Sequence, residues 1–232
     1  MPQLFDIVYI LREDIDPTEL KYSLRSVAEN FPHRLVWFIG GQPEGLKPDR
    51  QIIHKQTGAN KWERIRSSLL RAITEPELSE SFYLFNDDFF VMQPQGEDFT
   101  NFIDKTLDWR IEDLRKIYPY LNHYGRTLEK AKVELKMLKA STYNFEVHMP
   151  FLMEKAKAHS ILKCSSPQMR SIYGNLNAVP YVQHDDVKVY DLETVPEDSD
   201  YLSTTEVIFK DGKVGEYIRQ RFPFPSCFEV TT

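Results

Sequence analysis

The chain has little cysteine and no long hydrophobic run, and each shortage excludes a class of protein. Only two of its 232 residues are cysteines, Cys164 and Cys227, and they lie far apart. Two distant cysteines in a chain without a signal-like N-terminus predict neither a disulfide framework nor a zinc site. No apolar stretch approaches the length of about 18 residues that a membrane span needs. We therefore expect no membrane span and a cytoplasmic location.

An excess of positive charge is also missing. The formal net charge is -6, whereas a protein that coats nucleic acid normally needs a basic surface to neutralise phosphates. This argues against such a protein without excluding a local basic patch. Hydrophobic residues are 41% and charged residues 28% of the chain, values that exclude a disordered or fibrous protein. Without internal repeats, the length fits a single domain over residues 1–232.

Short hydrophobic strands alternate with amphipathic helices in the first part of the chain. The pattern predicts strands at about 5–11, 34–40, 51–54 and 82–91, and helices at about 18–30 and 60–73. Strands that alternate with helices predict an α/β fold with a mostly parallel central sheet flanked by helices.

Between about residues 98 and 140 the composition changes to a basic helical segment, which we predict to be an insertion in the domain. Its cations either form a solvated helical face, as charge runs usually do, or contact an anionic acceptor or the phosphates of a donor. The basic residues are Lys105, Arg110, Arg115, Lys116, Arg126, Lys130, Lys132, Lys136 and Lys139.

Two adjacent acids, Asp87 and Asp88, stand where the strand that begins at Phe82 should end. An unpaired acid in a buried strand costs several kcal/mol unless a cation neutralises it. Ligands of open α/β sheets collect at the carboxyl ends of strands, and Mg²⁺ and Mn²⁺ take carboxylate oxygens while substrate phosphates complete the shell. The pair therefore predicts a metal site that holds a nucleotide-sugar type of donor. The alternative is that residues 86–88 are the turn of a hairpin.

Further along the chain, residues 143–150 alternate like a strand that ends at Pro150. In a strand, Asn144, Glu146 and His148 would share one face. Helices are predicted at about 151–160 and 165–175. A shorter strand at about 181–190 is interrupted by three polar residues, which form either a second metal cluster or a tight turn. These residues are His184, Asp185 and Asp186.

Five segments of the sequence form an ordered set. In chain order they are Asp6-Ile-Val-Tyr9 with Asp16-Pro17, Glu19-Leu-Lys-Tyr-Ser-Leu-Arg-Ser26, His54 with Asn60, Phe82-Tyr-Leu-Phe-Asn-Asp-Asp-Phe-Phe90 and His148-Met-Pro150. In this order they resemble the blocks of the Stealth family, which includes bacterial capsular polysaccharide phosphotransferases and the lysosomal-enzyme N-acetylglucosamine-1-phosphotransferase. The chain departs from the family at an Asp-Gly pair in the first block, where it has Leu11-Arg-Glu-Asp14. An arginine of the family is also missing or displaced, with Lys163 or Arg170 as candidates.

The resemblance implies a GT-A-like domain that transfers a sugar or sugar phosphate from a nucleotide sugar to a hydroxyl acceptor. Asp87 and Asp88 would hold Mn²⁺ or Mg²⁺, and His148 would be the catalytic residue. An imidazole suits this task because its pKa of about 6.5 lies near working pH. Glu146 would orient His148 or act as the base itself. The donor-binding residues would be Arg25, Asn60, Asn86, Lys163 and Arg170.

Three functions stay open on the sequence. The favoured one is an enzyme, a glycosyltransferase or sugar-phosphate transferase with a carbohydrate acceptor. The second has a DNA acceptor: the basic segment would suit glycosylation of hydroxymethylated bases, as in some phage enzymes of similar fold. The third is a non-catalytic nucleotide-sugar-binding module, which the altered first block and the displaced arginine suggest.

Overall fold

Four parallel strands form the centre of the protein, in the order β3-β2-β1-β4, and β7 adds to the β4 edge in the antiparallel direction. The strands are β1 (Asp6–Leu11), β2 (Val36–Gly40), β3 (Arg50–Ile53), β4 (Ser81–Phe85), β5 (Phe89–Val91), β6 (Asn101–Ile103), β7 (Phe151–Glu154), β8 (Tyr181–Gln183) and β9 (Tyr201–Ser203). The predicted α/β fold with a mostly parallel central sheet is confirmed.

This computed structural model describes residues 3–118 and 120–230. The ends of the predicted domain, residues 1–2 and 231–232, and Pro119 in the predicted insertion lie outside the described residues. The extent of the domain and the status of residues 98–140 as an insertion stay predictions. Within the described part of the chain, no helix has both the length and the apolar character that crossing a membrane requires.

Side-chain caps explain where the two helices beside the sheet begin. Asp16 accepts a hydrogen bond from the backbone N–H of Thr18 at 2.9 Å, and Pro17 is the first helical residue of its helix. Asn60 accepts from two backbone N–H groups of the next helix. The helices are α1 (Pro17–Asn30), α2 (Lys61–Ile73), α3 (Leu107–Ile117), α4 (His123–Met137), α5 (Lys155–Ala158), α6 (Met169–Leu176), α7 (Glu206–Asp211) and α8 (Lys213–Arg221).

The sheet is covered by helices on both faces, which is why its central strands β1, β2 and β4 are almost entirely apolar. Tyr9 of β1 belongs to a cluster with Leu24 of α1 on one face. Val8, the next residue along the strand, belongs to a second cluster with Leu69 of α2 on the other face. Successive side chains of a strand point to opposite faces, so one strand contributes to both clusters.

The order of the strands reverses between β1 and β4, because the chain passes from β1 to β2 and β3 on one side and then returns to β4 on the other. A crevice at the carboxyl ends of the strands is expected at such a reversal, and ligands of open α/β sheets bind there. Asp87 and Asp88, the predicted metal ligands that follow β4, therefore lie where the topology predicts a ligand site.

Residues 143–150 are not a strand, so that prediction is wrong. On one side a single antiparallel bridge joins Tyr143 to Thr106. On the other side the backbone bonds to side chains of α6: the N–H of Tyr143 donates to Asn175 Oδ1 at 2.9 Å, and the N–H of Phe145 donates to Ser171 Oγ at 3.1 Å. Side chains of a helix thus satisfy backbone groups that would otherwise need a neighbouring strand.

The strand of this region comes later than predicted. β7 begins at Phe151, directly after Pro150, where the sequence predicted a helix over 151–160. The helical part, α5, starts only at Lys155 and is followed by a 3₁₀ turn over His159–Lys163. Phe151 and Met153 are buried against the sheet core, and this packing explains the extended conformation.

The basic segment is helical over α3 and α4 but starts with the short strand β6, which pairs with β8. The two helices pack against each other through a cluster that includes Ile111 and Leu128. Across this pair, Asp108 bonds to Lys132 at 3.1 Å and to Lys136 at 3.2 Å. Part of the positive charge of the segment is therefore neutralised within it.

Candidate active site

Asp87 and Asp88 lie in a turn at the carboxyl end of β4, beside the end of β1. The strands before and after the turn belong to different sheets, since β4 pairs with β1 and β7 whereas β5 pairs with β9. The alternative of a hairpin turn is therefore wrong. Residues 86–88 instead connect the central sheet to the β5-β9 pair.

Asp88 has one satisfied and one unsatisfied carboxylate oxygen. Its Oδ2 accepts hydrogen bonds from Lys188 Nζ and from Ser203 Oγ, the latter at 3.3 Å. Its Oδ1 is buried and has no hydrogen-bond partner among the described residues. A buried carboxylate oxygen without a partner is costly. Binding of a cation would remove this cost.

The carboxyl groups of Asp87, Asp88 and Glu19 share this region, and the pKa values of Asp87 and Glu19 are raised there. Burial, and then the charge of Asp88, raise the pKa of Asp87 to about 6. Burial raises the pKa of Glu19 on α1 to about 7; the hydrogen bond from Thr204 Oγ1, 2.8 Å long, opposes this effect, and the charges of Asp88 and Asp87 add to it. Crowded acids of this kind attract a positive ion.

The acid pair fits a metal ion that shares its shell with substrate. Among residues 3–118 and 120–230, no three His, Cys, Asp or Glu side chains form a group that could hold a metal by themselves. Mg²⁺ is usually bound by one or two carboxylates together with substrate phosphates and water. Asp87 and Asp88, with an Oδ1 of Asp88 that has no partner among the described residues, match the one or two carboxylate ligands that a protein supplies in such a site.

His148 is held by Asp186. The ring nitrogen Nδ1 of His148 lies 2.9 Å from both carboxylate oxygens of Asp186, and the backbone N–H of His148 donates to Oδ1 at 3.0 Å. Burial acts to raise the pKa of Asp186, but the hydrogen bonds and charge of His148 outweigh it and lower this pKa. Asp186, predicted as an alternative metal ligand, is therefore the residue that orients His148.

Glu146 has a different partner from the one predicted for it. Its Oε1 accepts a hydrogen bond from the backbone N–H of Ser171 at 3.0 Å, at the start of α6. Burial raises the pKa of Glu146, and the charge of Arg170 opposes this shift. The predicted role of orienting His148 belongs to Asp186, whereas a role of Glu146 as base stays a prediction.

Arg170 connects the elements of the site. Its buried guanidinium donates to the carbonyl of Val147 and to Asn86 Oδ1, each at 2.9 Å, and lies over the ring of Phe89 at 5.1 Å from the ring centre. It therefore fixes the turn after β4 to the segment that carries His148.

A cavity of about 680 Å³ joins these groups. Its volume is in the range of about 300–1,000 Å³ that is typical of small-molecule sites. Five of the predicted site residues lie on its wall. They are Asn86, Asp87, Glu146, His148 and Arg170. Asp88, the residue after Asp87, does not line this cavity and pairs with Lys188.

Besides Asp88 and Asp186, four predicted residues do not line this central cavity. Arg25 pairs with Glu229 at 2.7 Å and also bonds to carbonyls of the C-terminal segment. Lys163 is exposed at the end of the 3₁₀ turn. His184 bonds to the neighbouring carbonyl of Asp185 at 2.6 Å. Asn60 caps α2 and lines an adjoining cavity.

The sequence reasoning missed several charged residues of the site. Arg12 lies on the cavity wall directly after β1, so the rule that singled out Asp87 could also have found it. Lys188 pairs with Asp88 from 100 residues further along the chain. Tyr124 also reaches the cavity, from α4, whereas Arg110, which reaches it from α3, is one of the cations of the predicted basic segment. No local sequence pattern predicts contacts between segments so distant in sequence.

Comparison of the sequence with models of protein families gives no match, and comparison with curated proteins gives none either. The resemblance to the Stealth family therefore stays a prediction that rests on the five segments quoted above.

Proposed function

We propose that the protein is a metal-dependent transferase that moves a sugar or sugar phosphate from a nucleotide sugar to a hydroxyl acceptor. One observation carries the proposal. A single cavity at the carboxyl ends of β1 and β4 is lined by Asp87, which precedes Asp88, and by His148, whose Nδ1 contacts Asp186 at 2.9 Å. An acid pair and an oriented imidazole are the two groups that such a transfer needs.

The donor would bind with its phosphates toward the acid pair. Asp87 and Asp88 would hold the Mn²⁺ or Mg²⁺, which when bound offsets the charge on the donor's phosphates. Arg12, Lys61 and Arg110 line the same cavity and supply cationic donors for phosphate oxygens. Arg170 positions Asn86 and the His148 segment.

His148 would remove the proton of the acceptor hydroxyl. A carboxylate can only accept hydrogen bonds, so the neutral ring carries its proton on Nδ1, facing Asp186, and Nε2 is left to accept a proton. As the acceptor oxygen attacks, Nε2 takes its proton, and the charge of Asp186 stabilises the imidazolium. Attack at the anomeric carbon releases a nucleoside diphosphate, whereas attack at the sugar-bearing phosphorus releases a nucleoside monophosphate.

A carbohydrate acceptor is favoured over DNA. The basic segment, which motivated a DNA acceptor, has Lys132 and Lys136 paired with Asp108. The catalytic groups also line a concave cavity rather than an open face. Both features suit a small saccharide better than a duplex, which needs an extended basic surface.

The test is a turnover assay with a panel of nucleotide sugars, Mn²⁺ and saccharide acceptors, in which nucleoside diphosphate and monophosphate are quantified separately. We expect acceptor-dependent release of one of the two from one donor. Asp87→Asn should abolish the release, and the exposed Asp198→Asn should not. Absence of release with every donor, metal and acceptor would favour the non-catalytic binding module.

A further inference from the structure

A second cavity, of about 540 Å³, adjoins the central one. We call it the side cavity. It lies between α2, α4 and residues 165–167. Trp62, His123 and Pro167 line both cavities, so a single ligand that passes these three residues could occupy both.

The side cavity carries positive charge in an acidic protein. Arg66, Arg126 and Lys130 line it, against a single acid, Glu63. That acid is already engaged, because it accepts hydrogen bonds from the backbone N–H of Ala59 at 2.8 Å and from the side-chain amide of the α2 cap at 2.9 Å. The wall therefore has an excess of cations.

Two of these cations have no carboxylate partner within residues 3–118 and 120–230. Elsewhere on α4, Lys132 and Lys136 are paired with Asp108. Among the described residues, by contrast, neither Arg126 nor Lys130 has a carboxylate oxygen within ion-pair distance. The guanidinium of Arg126 donates to the carbonyl of Leu121 at 3.1 Å. The charge of Arg126 is available to a ligand, and so is that of Lys130, which the nearby carboxylate of Glu134 partly offsets.

Arg66 adds a buried donor. Its two terminal nitrogens bond to the carbonyls of Ser166 at 2.6 Å and Cys164 at 3.4 Å, which fixes the guanidinium across the cavity wall. Its Nε is buried and has no acceptor in the part of the chain that the structure describes. A buried N–H without an acceptor is unfavourable, and an anionic oxygen would satisfy it.

Aromatic surface lies between the two cavities. The rings of Trp62 and His123 stack with their centres 4.8 Å apart and their planes at 28°. Such a surface suits the apolar face of a sugar ring. The side cavity thus combines unpaired cations, an unsatisfied donor and a stacking surface beside the catalytic groups.

We propose that the side cavity binds the anionic group, carboxylate or phosphate, of a saccharide acceptor whose reacting hydroxyl lies near His148. The proposal rests on the proposed transferase function for the identity of the ligand as acceptor. Arg66, Arg126 and Lys130 bind the anion, and the Trp62–His123 stack contacts the sugar between the anion and the reacting hydroxyl.

Binding is tested without nucleotide or metal, by ligand-observed NMR titration of glucuronic acid, glucose 6-phosphate and glucose. We expect the two charged sugars to bind and glucose to bind at least about tenfold more weakly, since a charge-assisted hydrogen bond is worth that factor or more. The double variant Arg126→Ala/Lys130→Ala should lose this preference. The control Lys47→Ala/Lys55→Ala removes two exposed lysines outside the side cavity and should keep it.

Equal binding of glucose and the charged sugars, no binding of any of them, or equal losses in both double variants would overturn the proposal. Tighter binding of a DNA oligonucleotide that depends on Arg126 and Lys130 would replace the saccharide with a nucleic acid. If the charged sugars bind as expected but no donor is turned over, the anion site stands and the transferase proposal fails. If turnover prefers neutral acceptors and is unchanged in Arg126→Ala/Lys130→Ala, the transferase proposal stands and the anion site fails.

Discussion

His148 and Asp186 form the clearest chemical pair of the molecule at the scale of single residues. The ring is held from two directions, through Nδ1 and through its own backbone N–H, by one carboxylate. This double contact fixes both the position of the backbone and the tautomer of the ring. A histidine that served packing alone would not need a partly buried carboxylate to determine which ring nitrogen carries its proton.

Replacing His148 should therefore reduce catalysis rather than donor binding. For His148→Ala we expect kcat to fall by about 10²–10⁴-fold, the usual contribution of a positioned general base, with little change in the nucleotide Kd. His184→Ala is the matched control, because that histidine lies outside the central cavity. Unchanged kcat in His148→Ala would rule out the assignment of the base.

The raised pKa of Glu19 predicts how stability depends on pH. The pKa is about 7 in the folded protein and near 4.5 in the unfolded chain, so the folded state binds more protons between these values. The stabilising contribution is complete below about pH 4.5 and is lost as pH rises through about 7. The measurement is urea denaturation in the presence of a metal chelator. Between pH 5 and 8, the unfolding free energy of Glu19→Gln should fall less steeply than that of the wild type. If the slope of unfolding free energy against pH is the same in Glu19→Gln and the wild type, the raised pKa of Glu19 is contradicted.

Buried polar contacts at the amino ends of the strands hold the central sheet at the scale of its elements. Asp6 is fully buried and accepts hydrogen bonds from Arg34, from the indole N–H of Trp37 and from the backbone N–H of Ser79. It therefore joins β1, β2 and the residues before β4, at the end of the sheet opposite the site.

Asp6→Ala should destabilise the protein by about 2–4 kcal/mol, because it leaves a buried indole and a partly buried backbone N–H without an acceptor and removes the partner of Arg34. The measurement is urea denaturation, with the exposed Asp98→Ala as control. Equal midpoints for the two variants would show that this contact contributes little to stability.

The α6 side chains that replace a strand partner for residues 143–150 lead to a second prediction about an element. Asn175 is buried, accepts from the N–H of Tyr143 and donates to its carbonyl at 2.8 Å. Asn175→Ala should cost about 1–3 kcal/mol of stability, the penalty for a buried group left unsatisfied. The exposed Gln42→Ala is the control in the same denaturation experiment. A loss no larger than that of the control would contradict this account.

The elements that the sequence predicted well are those defined by local signals. The sequence predicts α1 and α2 because their apolar residues recur at helical spacing, and it predicts β1, β2 and β4 because they are apolar runs. Residues 143–150 were misassigned because alternation mimics a strand, whereas their hydrogen bonds go to Ser171 and Asn175. Such partners depend on tertiary structure, which a local pattern does not contain.

The residues of the candidate site also divide into those with a local sequence signal and those that depend on tertiary contacts. Asp87 was recognisable from its position at the end of an apolar run, and His148 from the family resemblance. The pairing of His148 with Asp186 and of Asp88 with Lys188 joins segments 38 and 100 residues apart. A single sequence holds no information on such pairs.

For the whole molecule, the distribution of charge matters more than the total. The net charge is -6, yet acids collect around Asp87 while unpaired cations line the side cavity. A cation and an anion would therefore be drawn to different parts of one continuous crevice. This arrangement suits a donor held through a metal and an acceptor held through its own charge.

The central claim is that the acid pair binds a nucleotide through a metal ion, and a thermal-shift measurement tests it most directly. Wild type, Asp87→Asn and the control Asp198→Asn are melted with nucleoside diphosphates, with and without Mn²⁺. A ligand that binds only the native state must raise Tm. We predict a rise that needs both one nucleotide and Mn²⁺, persists in the control and disappears in Asp87→Asn. The absence of a rise with every nucleotide, or a rise of the same size in Asp87→Asn, would contradict the account.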